Sequence, residues 1–147
     1  MIYFTRQLLK EQQGDPSLQN NIEVENKWKM AIENYQRHFN SVESSLPVSV
    51  QKLSRMSLHD GVIIDISKKE REITIVIDSS SNYEEQSNEI KLIFKGVEFF
   101  NGIDNIINEW WLYEEYYLSK IGRFELNVLL TNSEFTIIAD EVEIIRN

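Results

Sequence analysis

Apolar side chains in the first third of the chain recur at every third or fourth position, the spacing of one face of an α-helix. The longest such pattern predicts a helix from about Leu18 to Val42. A shorter helix precedes it, with Thr5 as its N-cap and Gly14 just after its end, and a third begins at Pro47. The apolar stripe of the long helix consists of Val24, Trp28, Ala31, Tyr35, Phe39 and Val42.

From residue 60 onward the apolar and polar residues alternate, which is the period of β-strands. Short polar turns separate most of these runs, so we expect an antiparallel meander of about six strands. The inward positions change from odd to even numbers after Ala139, and a one-residue bulge near Asp140 and Glu141 would restore the register. The inward positions of the first strand are Val62, Ile64 and Ile66, and those of the next two are Ile73, Ile75, Ile77, Ile90, Leu92 and Phe94.

Residues 103–121 fit two patterns, a helix and an aromatic strand. We predict a strand from Trp110 to Leu118, since Trp and Tyr favour sheets and a short turn leads directly into the run that starts at Phe124. The fold class is therefore α+β. One domain is expected over residues 1–147, with helices in 1–59 and an antiparallel sheet in 60–147.

The outward face of the predicted sheet carries one apolar residue in each of five strands. These residues would form a stripe across the sheet, and we expect the long helix with Trp28 to cover it. If the helix does not, the stripe is a landing site for a partner or a second copy, since monomers rarely leave large apolar patches open. The stripe consists of Ile63, Val76, Ile93, Leu129 and Ile138.

The composition excludes several kinds of site. The chain has no cysteine, so disulfides, thiolate zinc sites and cysteine nucleophiles are ruled out together. Its first residues lack the apolar stretch of a signal peptide, and no apolar run approaches the ~20 residues that span a bilayer. We expect a cytoplasmic protein without a membrane partner.

The charge is unevenly distributed along the chain. Residues 1–59 contain seven basic and six acidic side chains, whereas residues 60–147 contain eight basic and eighteen acidic ones, for a net charge of −9. An acidic surface repels the phosphates of nucleic acids and attracts basic proteins. The expected partner is therefore a basic protein.

The usual catalytic motifs are missing. No two of the five glycines are closer than six positions, so the sequence contains neither a dinucleotide-binding motif nor a nucleophile-elbow motif. His59-Asp60 could be a metal ligand or a general base oriented by a carboxylate. We predict a structural turn instead, because neighbours on an extended segment point in opposite directions and Asp-Gly commonly marks turns. No metal and no cofactor are expected.

One pattern would suit an enzyme. Asp78, followed by Glu89 and Lys91, resembles the acidic and E-x-K positions of metal-dependent nucleases, in which two carboxylates hold Mg²⁺. Glu89 and Lys91 also fit the ordinary solvent face of a strand, and an acidic segment lacks the basic surface that a nucleic acid needs. We therefore keep the enzyme as the alternative.

Two features suit protein binding. The first is a polar loop with Tyr83, Glu84 and Glu85, and the second is the predicted aromatic strand with Trp111 and Glu115. On a strand, the side chain of Glu115 faces away from that of Glu114. Surplus Trp and Tyr are typical of interfaces, so Trp111 is a candidate exposed anchor.

Four segments together resemble a family of small uncharacterised proteins of Gram-positive bacteria, for which no activity is assigned. The Leu-His-Asp step before paired strands is also similar to that of certain immunity proteins, which neutralise the toxins of neighbouring cells. The segments are Tyr3-Phe4-Thr5-Arg6, Leu58-His59-Asp60, Trp111-Leu112-Tyr113-Glu114-Glu115 and Phe124-Glu125-Leu126-Asn127-Val128-Leu129-Leu130.

The predicted function is a non-catalytic, cytoplasmic protein-binding module, an immunity or antitoxin-like inhibitor of a basic partner. One alternative is a Mg²⁺-dependent nuclease or hydrolase. Another is a self-associating structural protein whose apolar stripe is a homodimer interface.

Overall fold

The helices lie where the sequence places them. The computed structural model describes residues 1–14, 21–82, 84, 87–102, 104–120 and 122–147, so the predicted helix start at Leu18 lies outside the described residues. The Thr5 hydroxyl accepts a 3.2 Å hydrogen bond from the N–H of Leu8, as its role as an N-cap predicts. Within the described residues no helix is both long and apolar enough to span a membrane. The helices are α1 (Arg6–Gln12), α2 (Asn21–Val42) and α3 (Val48–Leu53), with a 3₁₀ turn at Glu43–Ser45.

The described residues after α3 include two antiparallel sheets of four strands each. The first has the strand order β1-β2-β3-β8 and the second the order β4-β7-β6-β5. The α+β class is confirmed, and the described strands number eight where about six were expected. They are β1 (Val62–Lys69), β2 (Glu72–Asp78), β3 (Glu89–Lys95), β4 (Phe99–Phe100), β5 (Trp111–Leu118), β6 (Phe124–Leu130), β7 (Glu134–Ala139) and β8 (Glu141–Arg146).

The main core lies between the two sheets. Phe94 of the first sheet and Phe124 of the second have ring centroids 6.3 Å apart, and both rings are fully buried. Helix α3 closes one side of this core through Val50 and Leu53, which are also fully buried. Because each such side chain contributes about 1.5–3 kcal/mol, this layer is the main source of stability.

The other face of the second sheet is covered by the N-terminal segment and α2. Phe4 packs against Trp28 of α2 and Tyr113 of β5, with ring centroids 5.7 and 5.4 Å away. The predicted stripe of α2 is confirmed, since Ala31 is buried and the other five positions are partly buried. The long helix therefore packs by its apolar face, as its periodicity predicts.

The change of parity after Ala139 has a different cause from the predicted bulge. β7 pairs with β6 in the second sheet, whereas β8 pairs with β3 in the first. The chain crosses between sheets at Asp140, whose N–H donates a 3.0 Å hydrogen bond to the carbonyl of Lys95. Odd positions of β7 face the core from the second sheet and even positions of β8 face it from the first, so the bulge prediction is wrong.

A bulge does occur in β1. The pairing of β1 with β2 shifts between Ile63 and Asp65, so Ile64 is 43% exposed while Ile63 is fully buried. The prediction that Ile64 faces the core is therefore wrong, because the extra residue reverses the parity at the start of the strand.

The five apolar residues that were predicted to form one stripe on the outward face of the sheet lie in two different sheets. Ile63, Val76 and Ile93 belong to the first sheet, while Leu129 and Ile138 belong to the second. A single stripe covered by α2 cannot form from residues of two separate sheets, and that prediction is wrong.

Residues 111–118 form a strand, which confirms the choice of strand over helix for this segment. The hairpin to β6 is confirmed too, with Gly122 at φ +78° and the N–H of Arg123 donating to the carbonyl of Lys120. A positive φ at this position suits glycine.

Candidate functional site

A tight turn precedes β1 and places His59 at the surface. Asp60 has φ 66°, and the N–H of Gly61 donates a 3.0 Å hydrogen bond to the carbonyl of Leu58. A Cβ on Gly61 would lie 2.6 Å from Cγ2 of Ile77, so only glycine fits there without rearrangement. The predicted turn at Asp60-Gly61 is present.

The turn also brings two side chains together that were expected to point apart. Nδ1 of His59 lies 3.1 Å from Oδ1 of Asp60, because the left-handed backbone of Asp60 replaces the extended segment assumed from the sequence. The ring of His59 stands edge-on to Tyr113 at 5.4 Å, and the Asp60 N–H donates to the carbonyl of Trp111 at 2.9 Å. The turn is thus held against β5.

A cleft opens between α2, the segment after α3 and strand β5. Its outer part has a volume of about 430 Å³ and includes His59, Glu84 and Tyr113 in its walls. Its inner part has a volume of about 340 Å³ and includes Phe39 and Tyr116. The residues that line both parts are Tyr35, Gln36, Ser54 and Glu114.

Strand β5 supplies the floor of this cleft, and its two faces differ. The register of the pairing between β5 and β6 shifts between Trp111 and Tyr113. Trp111 therefore points into the core, whereas regular alternation would place it on the same face as Glu115. Beyond the bulge, Glu114 and Tyr116 share the core-facing side, while Glu115 points toward the N-terminal segment. A carboxylate therefore stands on the core-facing side of an edge strand.

Glu114 is partly buried and incompletely hydrogen-bonded. Its Oε2 accepts a 2.8 Å hydrogen bond from Nε1 of Trp111, and its Oε1 accepts none from the described residues. Burial raises the pKa of Glu114, an effect opposed by the Trp111 hydrogen bond and by the charge of His59. The negative charge of Glu114 is therefore costly in the free protein.

Tyr116 has a buried hydroxyl group without a partner. The residue is only 2% exposed, and its Oη makes no hydrogen bond within the described part of the chain. Burial raises the pKa of Tyr116 well above its ordinary value, with the charge of Glu114 as a further cause. Buried polar atoms usually have partners, so this hydroxyl is an exception that needs an explanation.

The backbone of Tyr116, in contrast, is fully engaged by α2. Its N–H donates a 3.0 Å hydrogen bond to Oη of Tyr35, and its carbonyl oxygen lies 3.0 Å from Nε2 of His38. These two side chains cover the free edge of β5 at this point, as an additional strand would. They also fix one wall of the cleft.

Glu115 is a structural residue. It is fully buried, and its carboxylate accepts hydrogen bonds of 2.7–2.8 Å from the N–H groups of Ile2, Tyr3 and Phe4. The hydroxyl of Tyr117 donates to the same carboxylate. Four donors compensate the buried charge, so Glu115 holds the N-terminal segment in place.

The predicted partner-binding residues are thus separated. Trp111 and Glu115 are fully buried and cannot touch a partner in this conformation, so the prediction of an exposed anchor at Trp111 is wrong. Glu84 is exposed and borders the outer cleft, whereas Tyr83 and Glu85 lie outside the described residues. Sequence reasoning missed Tyr35 and Tyr116, although a glutamate between the aromatic residues of a strand was a visible signal.

The residues of the enzyme alternative lie on the outer face of the first sheet. Asp78 and Glu89 are directly opposed in the pairing of β2 and β3, and Lys91 follows on the same face. Oδ1 of Asp78 accepts a 2.9 Å hydrogen bond from the N–H of Ser80, and hydrogen bonds from Ser80 lower the pKa of Asp78. Among the described residues no three His, Cys, Asp or Glu side chains are grouped to hold a metal ion.

The fold and the cleft define a two-sheet α+β domain with an acidic, aromatic cleft beside an edge strand. The chain belongs to the family described as protein of unknown function (DUF4085), whose model matches residues 4–139. No curated protein matches the sequence.

Proposed function

We propose that this protein is a non-catalytic bacterial binding module that inhibits a basic protein partner in the cytoplasm, in the manner of an immunity protein or antitoxin. The observation that carries the proposal is the cleft between α2 and β5, with Glu84 at its entrance and Glu114 inside. Both are acidic, and the chain as a whole has a net charge of −9.

The only arginine or lysine that lines the cleft among the described residues is already paired. Arg55 Nη2 lies 2.9 Å from Oε1 of Glu43, and 68% of the Arg55 side chain is exposed. Glu84 and Glu114 are in no ion pair among the described residues, so a ligand would meet both carboxylates, with the ring of His59 beside them. An acidic surface of this kind speeds association with a basic protein.

Hydrogen bonds join the elements that form the walls of the cleft. Helix α2 is fixed to β5 by the Tyr35 and Tyr116 contact, and the His59 turn is fixed by the carbonyl of Trp111. A preformed site avoids the entropy that a flexible one loses on binding. This architecture suits an inhibitor that must bind tightly.

The proposal is tested by isolating the partner. The tagged protein is expressed in its source cells, cross-linked and purified, and the recovered proteins are produced separately and assayed with and without it. We expect a partner of net positive charge whose activity is lost at one equivalent of this protein. A specific partner that is acidic, or one whose activity is unaffected, would overturn the proposal.

A further inference from the structure

Two residues that line the inner part of the cleft carry hydrogen-bond acceptors that the protein itself does not use. Glu114 and Tyr116 stand two residues apart on the core-facing side of β5 and line the same 340 Å³ cavity. Oε1 of Glu114 and Oη of Tyr116 make no hydrogen bond with any described residue. Tyr116 as a whole is only 2% exposed, and a buried hydroxyl without a partner is unusual in a native protein.

The charge of this cavity is negative. Of the two described carboxylates in its walls, Glu43 is paired with Arg55 at 2.9 Å, whereas Glu114 is in no ion pair with a described residue. Tyr35 Oη already accepts the N–H of Tyr116 and retains its own proton and a further lone pair. The complementary ligand therefore carries positive charge and several N–H donors.

The size and the walls of the cavity further restrict which ligands can fit it. A volume of about 340 Å³ lies at the lower end of the range for small-molecule pockets, which suits one side chain better than a large ligand. Phe39 and Tyr35 supply aromatic surface, on which the methylene groups and the charged end of a long basic side chain both pack favourably.

We infer that this inner cavity binds one lysine or arginine side chain of the protein partner, with Glu114 pairing its charge and Tyr116 accepting a hydrogen bond from it. The inference rests on the proposed function and names the chemistry of its contact. The cation replaces the water that Glu114 loses on burial and gives the Tyr116 hydroxyl its missing partner.

The test is a nuclear magnetic resonance titration with small probes that need no known partner. The probes are the N-acetyl methylamides of lysine and arginine, with those of norleucine and citrulline as neutral controls and putrescine as a free amine. We expect at least one basic probe to bind about tenfold more tightly than its neutral control, as one charged hydrogen bond provides. The shifted resonances should include those of Tyr35, Glu114 and Tyr116.

Three variants assign the contact to residues. Glu114→Gln should weaken binding of the basic probe about tenfold, and Tyr116→Phe should weaken it about threefold. Glu141→Gln, which changes an exposed carboxylate of β8, should leave it unchanged. Tyr116→Phe should unfold at the same or a higher urea concentration than the wild type, because it removes an unpaired buried group, and its weaker binding is then not a folding defect.

Equal binding of basic and neutral probes would overturn the inference, as would unchanged binding in both the Glu114 and Tyr116 variants. Tighter binding of putrescine than of both capped residues would overturn the assignment to a side chain. A partner that binds wild-type protein and Glu114→Gln equally would contradict this inference alone. Basic probes that bind while no basic partner exists would contradict the proposed function alone.

Discussion

Two adjacent glutamates of β5 show how position decides what a carboxylate does. Glu115 is fully buried but accepts hydrogen bonds from three backbone N–H groups and a tyrosine hydroxyl. Glu114, which is partly buried, accepts one hydrogen bond, from Trp111. A buried charge is tolerated when donors compensate it and becomes costly when they do not, so Glu115 supports the fold while Glu114, with one donor, does so less.

The pH dependence of stability should reveal this cost. Because burial raises the folded-state pKa of Glu114, the folded protein binds more protons at this residue than the unfolded chain at pH values just above 4.5. Its contribution to stability is therefore fully present below the unfolded pKa and is lost as the pH rises through the folded pKa. We expect Glu114→Gln to gain free energy of unfolding relative to wild type as the pH rises from 4 to 7.

Urea unfolding of both proteins at each pH measures this difference. Glu141→Gln serves as the control, because that side chain is exposed at the start of β8. A difference between Glu114→Gln and wild type that stays constant with pH would show that Glu114 is adequately compensated.

Replacing Glu115 should have a larger effect on the fold. Glu115→Ala leaves three backbone donors and the Tyr117 hydroxyl without their acceptor, and we expect a loss of about 2–4 kcal/mol. Urea unfolding gives the loss, and amide hydrogen exchange should show reduced protection at Tyr3 and Phe4. The exposed residue Glu134 is the matched position, where alanine should cost less than about 0.5 kcal/mol. Equal losses at the two positions would mean that Glu115 does not hold the N-terminal segment.

At the scale of elements, α2 is an edge cover for β5 as well as a packing partner. An exposed edge strand offers unpaired N–H and C=O groups to other chains, and Tyr35 and His38 occupy those of Tyr116. Trp28 and Phe4 add aromatic packing on the face of the same strand. The helix is therefore fixed at two points, which is why it can serve as a wall of the cleft.

The packing of Trp28 sets the strength of that attachment. Its ring lies 5.0 Å from Tyr113 and 5.7 Å from Phe4, but the residue is only partly buried. We expect Trp28→Ala to cost about 2–3 kcal/mol, below the range for fully buried tryptophans. Met30→Ala, at a 59% exposed position of the same helix, should cost less than about 0.5 kcal/mol. Urea unfolding of the two variants measures both losses of stability. A loss for Trp28→Ala as small as that for Met30→Ala would contradict this packing.

Helices and strands could be predicted from the sequence because their periodicities are local. The division into two sheets could not, since the parity change at Asp140 fits a bulge within one sheet as well as a crossing between two. Which strand pairs with β3 depends on contacts far along the chain. Local alternation therefore identified β8 but not its sheet.

The candidate site was predicted less completely than the fold, and one bulge explains much of the difference. Without the register shift at Leu112, Trp111 would share a face with Tyr113 and Glu115. The shift turns Trp111 into the core. The cleft also requires α2 to lie against β5, a contact between distant segments that periodicity does not specify. Glu84 was identified because surface charge is visible in sequence, but the inner residues were not.

For the whole molecule, we expect no specific binding of Mg²⁺, Mn²⁺ or Zn²⁺. The two carboxylates of the enzyme alternative are already engaged, Asp78 by the N–H of Ser80 and Glu89 by the side-chain amide of Asn147. Titration calorimetry with each metal measures this directly. A stoichiometric site of micromolar affinity that is lost in Asp78→Asn would instead favour a metal-dependent enzyme.

The distribution of charge over the whole molecule leads to the central claim, that an acidic cleft binds a basic protein. If it does, long-range attraction should speed the encounter, and salt should screen that attraction once the Debye length falls to about 8 Å. Charge reversal at Glu84 should act on association, because this exposed residue borders the cleft and contributes little to stability.

The most direct measurement is the association rate constant of the purified partner, determined by surface plasmon resonance at salt concentrations from about 0.05 to 0.5 M. We expect the wild-type rate to fall at least about tenfold across this series. The rate for Glu84→Lys should be several-fold lower than that of wild type at low salt and should converge with it at high salt. The control variant Glu141→Lys should lower the association rate less than Glu84→Lys does. An association rate that is independent of salt and unchanged in Glu84→Lys would contradict the claim that this acidic cleft recognises a basic partner.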